Sequence, residues 1–318
     1  MTAAIELPRP RAIPRWLLRL GSFLAILASL ILMWEGYKAL GQATGGTIPF
    51  TDVRLPVRTD DTSMPHVKDI FAALFRPVSR GRNADILGWL LLKNALTTFH
   101  RAAVGFVMGS VAGFALGALF TRSRLLERGL MPFVVVSQTI PLIAIAPMVV
   151  IWGGSGAWPS WVVGALRLDD AGFSVAVISA YLTFFPVTIN SLRGLRSPDP
   201  NALELMRSYA ATEGQILTKL RVPASIPYVF TALKISATAS IIGAIIGELP
   251  AGVGDGLGRA LLTFSYYYVS GPEKLFATII VSALLGIAFV SLVTLAEHLV
   301  VNRGNRRRAP VAVEGTPV

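Results

Sequence analysis

The chain has 318 residues, 53% of them hydrophobic and 15% charged, with a net charge of +11 and no cysteine. Soluble domains carry about a quarter charged residues, so this composition excludes an ordinary soluble protein and fits an integral membrane one. Without a thiol there is no disulfide framework and no thiolate metal or redox site.

Several apolar runs of about 20 residues match the thickness of a bilayer core. Six are readable, at 20–37, 102–120, 131–152, 171–190, 226–249 and 275–300. A basic segment, 1–19, precedes the first and carries Arg9, Arg11, Arg15 and Arg19. That order imitates a secretory signal, but the run ends in Trp34-Glu35-Gly36-Tyr37 without a small-x-small cleavage site. An uncleaved first helix is the reading.

Residues 38–95 form an outward segment rich in turn formers: Gly45, Gly46, Pro49, Asp60, Asp61 and Pro65. Within it Ile70, Phe71 and Leu74 share helical spacing, which predicts a short helix on the outer membrane surface. Its functional counterpart is a docking surface for an extracytoplasmic partner.

The second span carries Gly105, Gly109, Gly113 and Gly117, each four residues from the last. That period stacks them along one helix face and predicts close packing against another helix. The third span holds Ser137-Gln138-Thr139-Ile140-Pro141 and then Pro147. Each proline removes a backbone donor and kinks or breaks a helix. Freed carbonyls inside a bilayer need protein or water partners, so a broken polar span is a candidate translocation pathway. A packed kink, with Gln138 bonded to a neighbouring helix, is the competing reading.

The fifth span ends in Gly247-Glu248-Leu249-Pro250, followed by a glycine-rich segment from Gly252 to Gly258. Glu248 is costly against lipid, so it faces the bundle or the outer interface and joins the pathway candidates. Lys234 is expected to snorkel to the membrane edge. His100, Arg101, Glu297 and His298 read as interfacial anchors.

The basic residues are not scattered. Clusters follow the second span (Arg122, Arg124, Arg128), the fourth (Arg193, Arg196, Arg207, Lys219, Arg221) and the sixth (Arg303, Arg306, Arg307, Arg308). With six spans these and the N-terminal cluster share one side, which the positive-inside rule makes cytoplasmic. The positive charge is therefore a topology signal and not a nucleic-acid footprint.

The polar loop at 191–223 has structure of its own. Asp199 and Pro200 suit an N-cap and first helical position. A helix from there to about Tyr209 would place Leu203, Met206 and Ala210 on one face. Thr212 and Gln215 fit a capping box opening a second short helix, past Gly214, which Pro223 is expected to stop.

The spacing of this loop resembles the cytoplasmic loop of binding-protein-dependent ABC importer permeases. That family carries Glu-Ala-Ala, a Gly six residues after the Glu, and Ile-x-Leu-Pro. Here Glu204 keeps the acid, Leu205 and Met206 replace the alanines, and Ala210 stands at the Gly. Leu220, Val222 and Pro223 stand at the Ile, Leu and Pro. From about 96 to 300 the chain is similar to the nitrate/sulfonate/taurine subgroup. The matching stretches are Gln138–Trp152, the loop through Tyr228, and Gly247-Glu248 leading into Gly256-Leu257-Gly258.

The resemblance implies an all-α, six-helix permease of the type I (MetI-like) fold, with a transmembrane domain at 96–302 and a basic tail at 303–318. It also implies a second permease copy as a homodimer, two ATPase subunits and an extracytoplasmic substrate-binding protein. The chain has no G-x-x-x-x-G-K-[ST] loop, so ATP and Mg would belong to the ATPase and this chain would bind no cofactor or metal. Cargo would be a small anion (nitrate, sulfonate, bicarbonate) or a heteroaromatic vitamin precursor. The long segment before Leu96 and the 154–170 stretch, with Trp158 and Trp161, depart from the family pattern. An ion-gradient transporter has no use for a capped helix pair in this loop. A membrane enzyme needs a clustered catalytic set that His66, His100 and His298 do not form.

Overall fold

The computed structural model describes residues 15–48, 53–79, 81, 84–250 and 253–306. Most of the basic N-terminal segment and tail, with Pro49 and Gly252, fall outside the described residues. The described chain is helical, and its β structure is confined to isolated bridges at Thr47–Arg54 and Pro77–Ile86.

Helix α1 spans Arg15–Ala43 and α2 Val67–Ala73; α3 runs from Leu87 to Arg122. Then come α4 (Arg124–Ser137), α5 (Leu142–Trp152) and α6 (Ser160–Ala165). Helix α7 (Asp170–Leu195) leads into α8 (Pro200–Ser208) and α9 (Glu213–Ile216), and α10 covers Val222–Gly247. The chain closes with α11 (Leu257–Tyr266) and α12 (Pro272–Arg306).

Helix α7 is the centre, with α3 on one side and α10 on the other. The α3 glycines lie against it. A Cβ built on Gly105 would stand 2.3 Å from the Ala176 carbonyl oxygen, and on Gly109 2.4 Å from that of Ala180. Gly113 and Gly117 meet Phe184 and Ser191 at 2.7 and 2.9 Å. Only a missing side chain permits backbones this close, which is how small residues drive helix association where lipid removes the hydrophobic advantage. The contact between α7 and α10 is closed by hydroxyls. Ser179 donates to the Ser240 carbonyl at 2.9 Å and Ser236 to that of Thr183 at 3.2 Å.

Among the described residues five helices are long and apolar enough to cross a membrane, and the pair α4–α5, bent by 97°, makes a sixth if counted as one span. Side-chain contacts decide in favour of one span. Arg196, capping the end of α7, grips Glu127 at the start of α4. At the other end Trp158, beyond α5, donates to Ser174 near the start of α7 at 3.0 Å. The pair therefore runs alongside α7 from Arg196 to Ser174, roughly 33 Å at 1.5 Å per residue, and does not turn back.

Helix α1 stands apart, held at its C-terminal end. Lys38 is wholly buried and reaches Asp61 at 2.6 Å. That ammonium, by hydrogen bond and charge, holds the Asp61 carboxyl below the usual carboxylate range. Glu35 accepts from the Val67 amide at 2.8 Å, and Trp34 packs edge-on against Phe276. Below these contacts Phe23, Leu24 and Ile26 are all exposed, a lipid-facing surface.

Helix α2 packs on the bundle through one face, where Ile70 and Ala73 are buried with Leu91, Leu257 and Ala277. Several expectations need correction. Lys234 does not snorkel, because Glu297 on α12 pairs with it at 2.9 Å. Arg101 is not an interfacial anchor but a buried side chain, 4% exposed. Pro223 does not end the second loop helix. Residues Glu213–Gly247 form one continuous helix, passing through a π turn at Leu217–Arg221. A π turn shifts the bonding register just where Pro223 lacks a donor, so the helix absorbs the proline in the first turn of α10 instead of breaking.

Candidate functional site

The loop on the basic face is a rigid knob. Asp199 caps α8 by accepting from the Asn201 amide at 2.9 Å. At the other end the Ala211 amide bonds back to the Met206 carbonyl, and the Ala210 amide to that of Arg207. This is a Schellman closure, whose turning residue adopts a left-handed conformation and is usually glycine. Ala210 fills that position at φ +53°. Its place at the Gly of the family spacing is thus a backbone requirement, met here with a strained alanine. Thr212 and Gln215 then form both halves of a capping box at 3.3 and 2.9 Å.

What the knob presents is apolar and uncovered. Leu205 and Tyr209, one turn apart on α8, are 58% and 79% exposed. Glu204, Thr212, Gly214 and Pro223 are also exposed, while Met206, Leu220 and Val222 are half-buried. Ile216, buried, roots the knob in the body.

The broken span lies between α4 and α5. Pro141 is the N-cap of α5, and residues 138–141 carry the bend. The Ser137 carbonyl, freed by the break, accepts from the Tyr181 hydroxyl. Gln138 is half-buried, and its amide nitrogen is enclosed without a hydrogen-bond partner among the described residues. Thr139 and Pro147 face outward from the protomer, beside Ile143, Met148 and Ile151. One side of this span is thus bare of protein.

Glu248 sits elsewhere and is wholly enclosed. Its carboxylate accepts from Thr98 Oγ1 at 2.8 Å, Arg101 Nη1 at 3.1 Å and the Gly258 amide at 2.9 Å. Arg101 also reaches the carbonyl of Asp255 at 3.0 Å and its side chain at 2.5 Å. Gly256, at φ +106°, leaves no room for a Cβ: one built there would stand 2.3 Å from the Glu248 carboxyl carbon. The group closes the outer end of α10 against α3 as a latch.

A model of the family described as "Binding-protein-dependent transport system inner membrane component" matches residues 105–302. The chain belongs to this family. It is a permease subunit of an ABC importer, a multi-pass inner membrane protein. Among similar proteins is the formylaminopyrimidine transport permease ThiX of Halalkalibacterium halodurans, 32% identical over 69% of this chain and 80% of that one. The aliphatic sulfonates transport permease SsuC of Bacillus subtilis, itself a putative assignment, is 28% identical over 67% and 71%. The nitrate import permease NrtB of Leptolyngbya laminosa is 25% identical over 71% and 74%.

Long-range ion pairs of the permease were not legible in its sequence. Arg101 and Glu248 lie 147 positions apart, and Arg196 and Glu127 lie 69 apart. A signal for the first was available: an arginine and a glutamate each inside an apolar run imply partners inside the bundle.

Proposed function

We propose that this permease forms one half of the translocation pathway of an ATP-driven importer, and that residues 199–223 are the part its ATPase moves. The observation that carries this reading is the exposed Leu205–Tyr209 pair on a helix capped at both ends. A rigid apolar knob held into solvent suits a groove on another protein. In this reading the arginine-ringed face is cytoplasmic, as the positive-inside rule favours, and six crossings bring both termini there. ATP closure of the ATPase pair would drag the knobs and switch the spans between inward-open and outward-open states.

In this reading the assembly holds two copies of the permease as a homodimer, two ATPase subunits and an extracytoplasmic substrate-binding protein. ATP and Mg belong to the ATPase, and the permease is a non-catalytic subunit without a cofactor of its own. The bare side of the broken span, at Ser137, Gln138, Thr139, Pro141 and Pro147, lines the pathway with its counterpart in the second copy. Glu248 holds the outer end of that pathway in shape. Relatives named for nitrate, sulfonates and a formylaminopyrimidine support a small anion or a heteroaromatic vitamin precursor as cargo.

The test is reconstitution with the ATPase and binding protein. Tyr209→Asp is expected to abolish ATPase association, whereas Glu204→Arg and Pro223→Leu leave ATP hydrolysis but reduce uptake by at least about tenfold, a cost of roughly 1.4 kcal/mol in coupling. Unchanged uptake in all three variants, or uptake that persists without ATP, sinks the proposal.

A further inference from the structure

We propose that the basic cleft between α4 and the α7–α8 junction binds the phosphate headgroup of an anionic phospholipid. The cleft encloses about 940 Å³. Arg124, Arg128, Arg196 and Arg221 line it, with Glu127 as the acidic residue in its wall.

Charge balance argues for an anionic ligand. Glu127 is committed to Arg196, which holds both its carboxylate oxygens. Arg124, Arg128 and Arg221 are left without an ion-pair partner among the described residues. Arg221 adds a sharper sign, since its Nε is enclosed with no hydrogen-bond partner among the described residues. An enclosed guanidinium donor without an acceptor is costly, and a phosphate oxygen is the acceptor its fork geometry fits best.

The surroundings distinguish a lipid from a free anion. Met131, Val135 and Leu195 form an apolar wall continuous with the arginines. On the same helix α4, Leu125 and Phe133 are 82% and 73% exposed. A ligand with a charged head and a greasy body matches both halves. Depth agrees as well, because the cleft lies where α3 and α7 end. Basic pockets between helices at that level are where anionic lipid heads bind. This inference rests on α4–α5 being one membrane span, and not on the ATPase coupling proposed above.

Native mass spectrometry of the full-length chain in detergent, titrated with phosphatidylglycerol or phosphatidylcholine, tests it without any transport measurement. Phosphatidylglycerol is expected to be retained preferentially. Arg124→Gln/Arg128→Gln should lower that retention at least about tenfold, and adding Arg221→Gln should lower it further. The double variant alters two exposed side chains, so it keeps the test valid if the triple variant fails to fold. Equal retention by parent and double variant overturns the site. Displacement of the lipid by millimolar inorganic phosphate would assign the arginines to a free anion instead. Loss of the lipid when the ATPase associates would assign the cleft to a protein partner, and either result overturns the proposal.

Discussion

The seam between α3 and α7 and the broken span α4–α5 are built on opposite rules. At the seam, four glycines bring two backbones together until no methyl group fits. At the broken span three prolines, Pro132, Pro141 and Pro147, and a 97° bend leave one side uncovered, and the Gln138 amide nitrogen has no partner among the described residues. Close packing transmits force without giving way, while a helix interrupted mid-membrane can change its bend. The contrast separates a frame from the part that works within it.

The comparison breaks most severely if the frame tolerates bulk. Gly109→Leu is expected to cost about 3 kcal/mol or more and to leave little folded protein in the membrane. The control is Gly129→Ala, at a glycine with no other atom near its would-be Cβ, which should change stability by less than about 1 kcal/mol. Equal thermal unfolding midpoints for the two variants would dissolve the distinction.

Next in size is the latch. Arg101→Ala strands Glu248 in an enclosed site, and removing one partner of a buried pair costs about 3–5 kcal/mol. A thermal midpoint unchanged from the parent would show that water already reaches the pair.

At the broken span the sign reverses. Gln138→Leu removes an amide whose enclosed nitrogen has no partner among the described residues, so stability should stay within about 0.5 kcal/mol of the parent or rise. Uptake should nonetheless change several-fold. A fall in stability with normal uptake would return Gln138 to packing.

The smallest effect concerns the knob. Ala210→Gly relieves a left-handed alanine and should stabilise α8 by about 0.5–1 kcal/mol. Slower amide hydrogen exchange at Ala211 is the readout, and faster exchange would contradict the strain.

Local features were legible before the fold was known. The glycine period, the Asp199-Pro200 start, the Thr212–Gln215 box and the break at Pro141 each depend on neighbours within a turn or two. Ala210 was read as part of a helix face and matched to a family glycine only by resemblance, and its turn at φ +53° emerged with the fold. Pairings set by the fold were not legible: Arg196 with Glu127, Arg101 with Glu248, Lys38 with Asp61. Each requires knowing which helices stand side by side. The second loop helix was misjudged for a different reason. Proline argues for a stop, and a π turn gave the backbone another way to accommodate it.

That uninterrupted helix, Glu213–Gly247, has a mechanical consequence. At 1.5 Å per residue it is a rod roughly 52 Å long, so a tilt of only about 5° about its inner end would swing the other by about 4.5 Å. Its inner end is part of the knob, and the next residue beyond its outer end is Glu248 of the latch. The π turn lies close to the inner pivot, and most of the length beyond it is regular helix. Geometry of this kind works as a lever with unequal arms, in which a small displacement on one face of the membrane becomes a large one on the other.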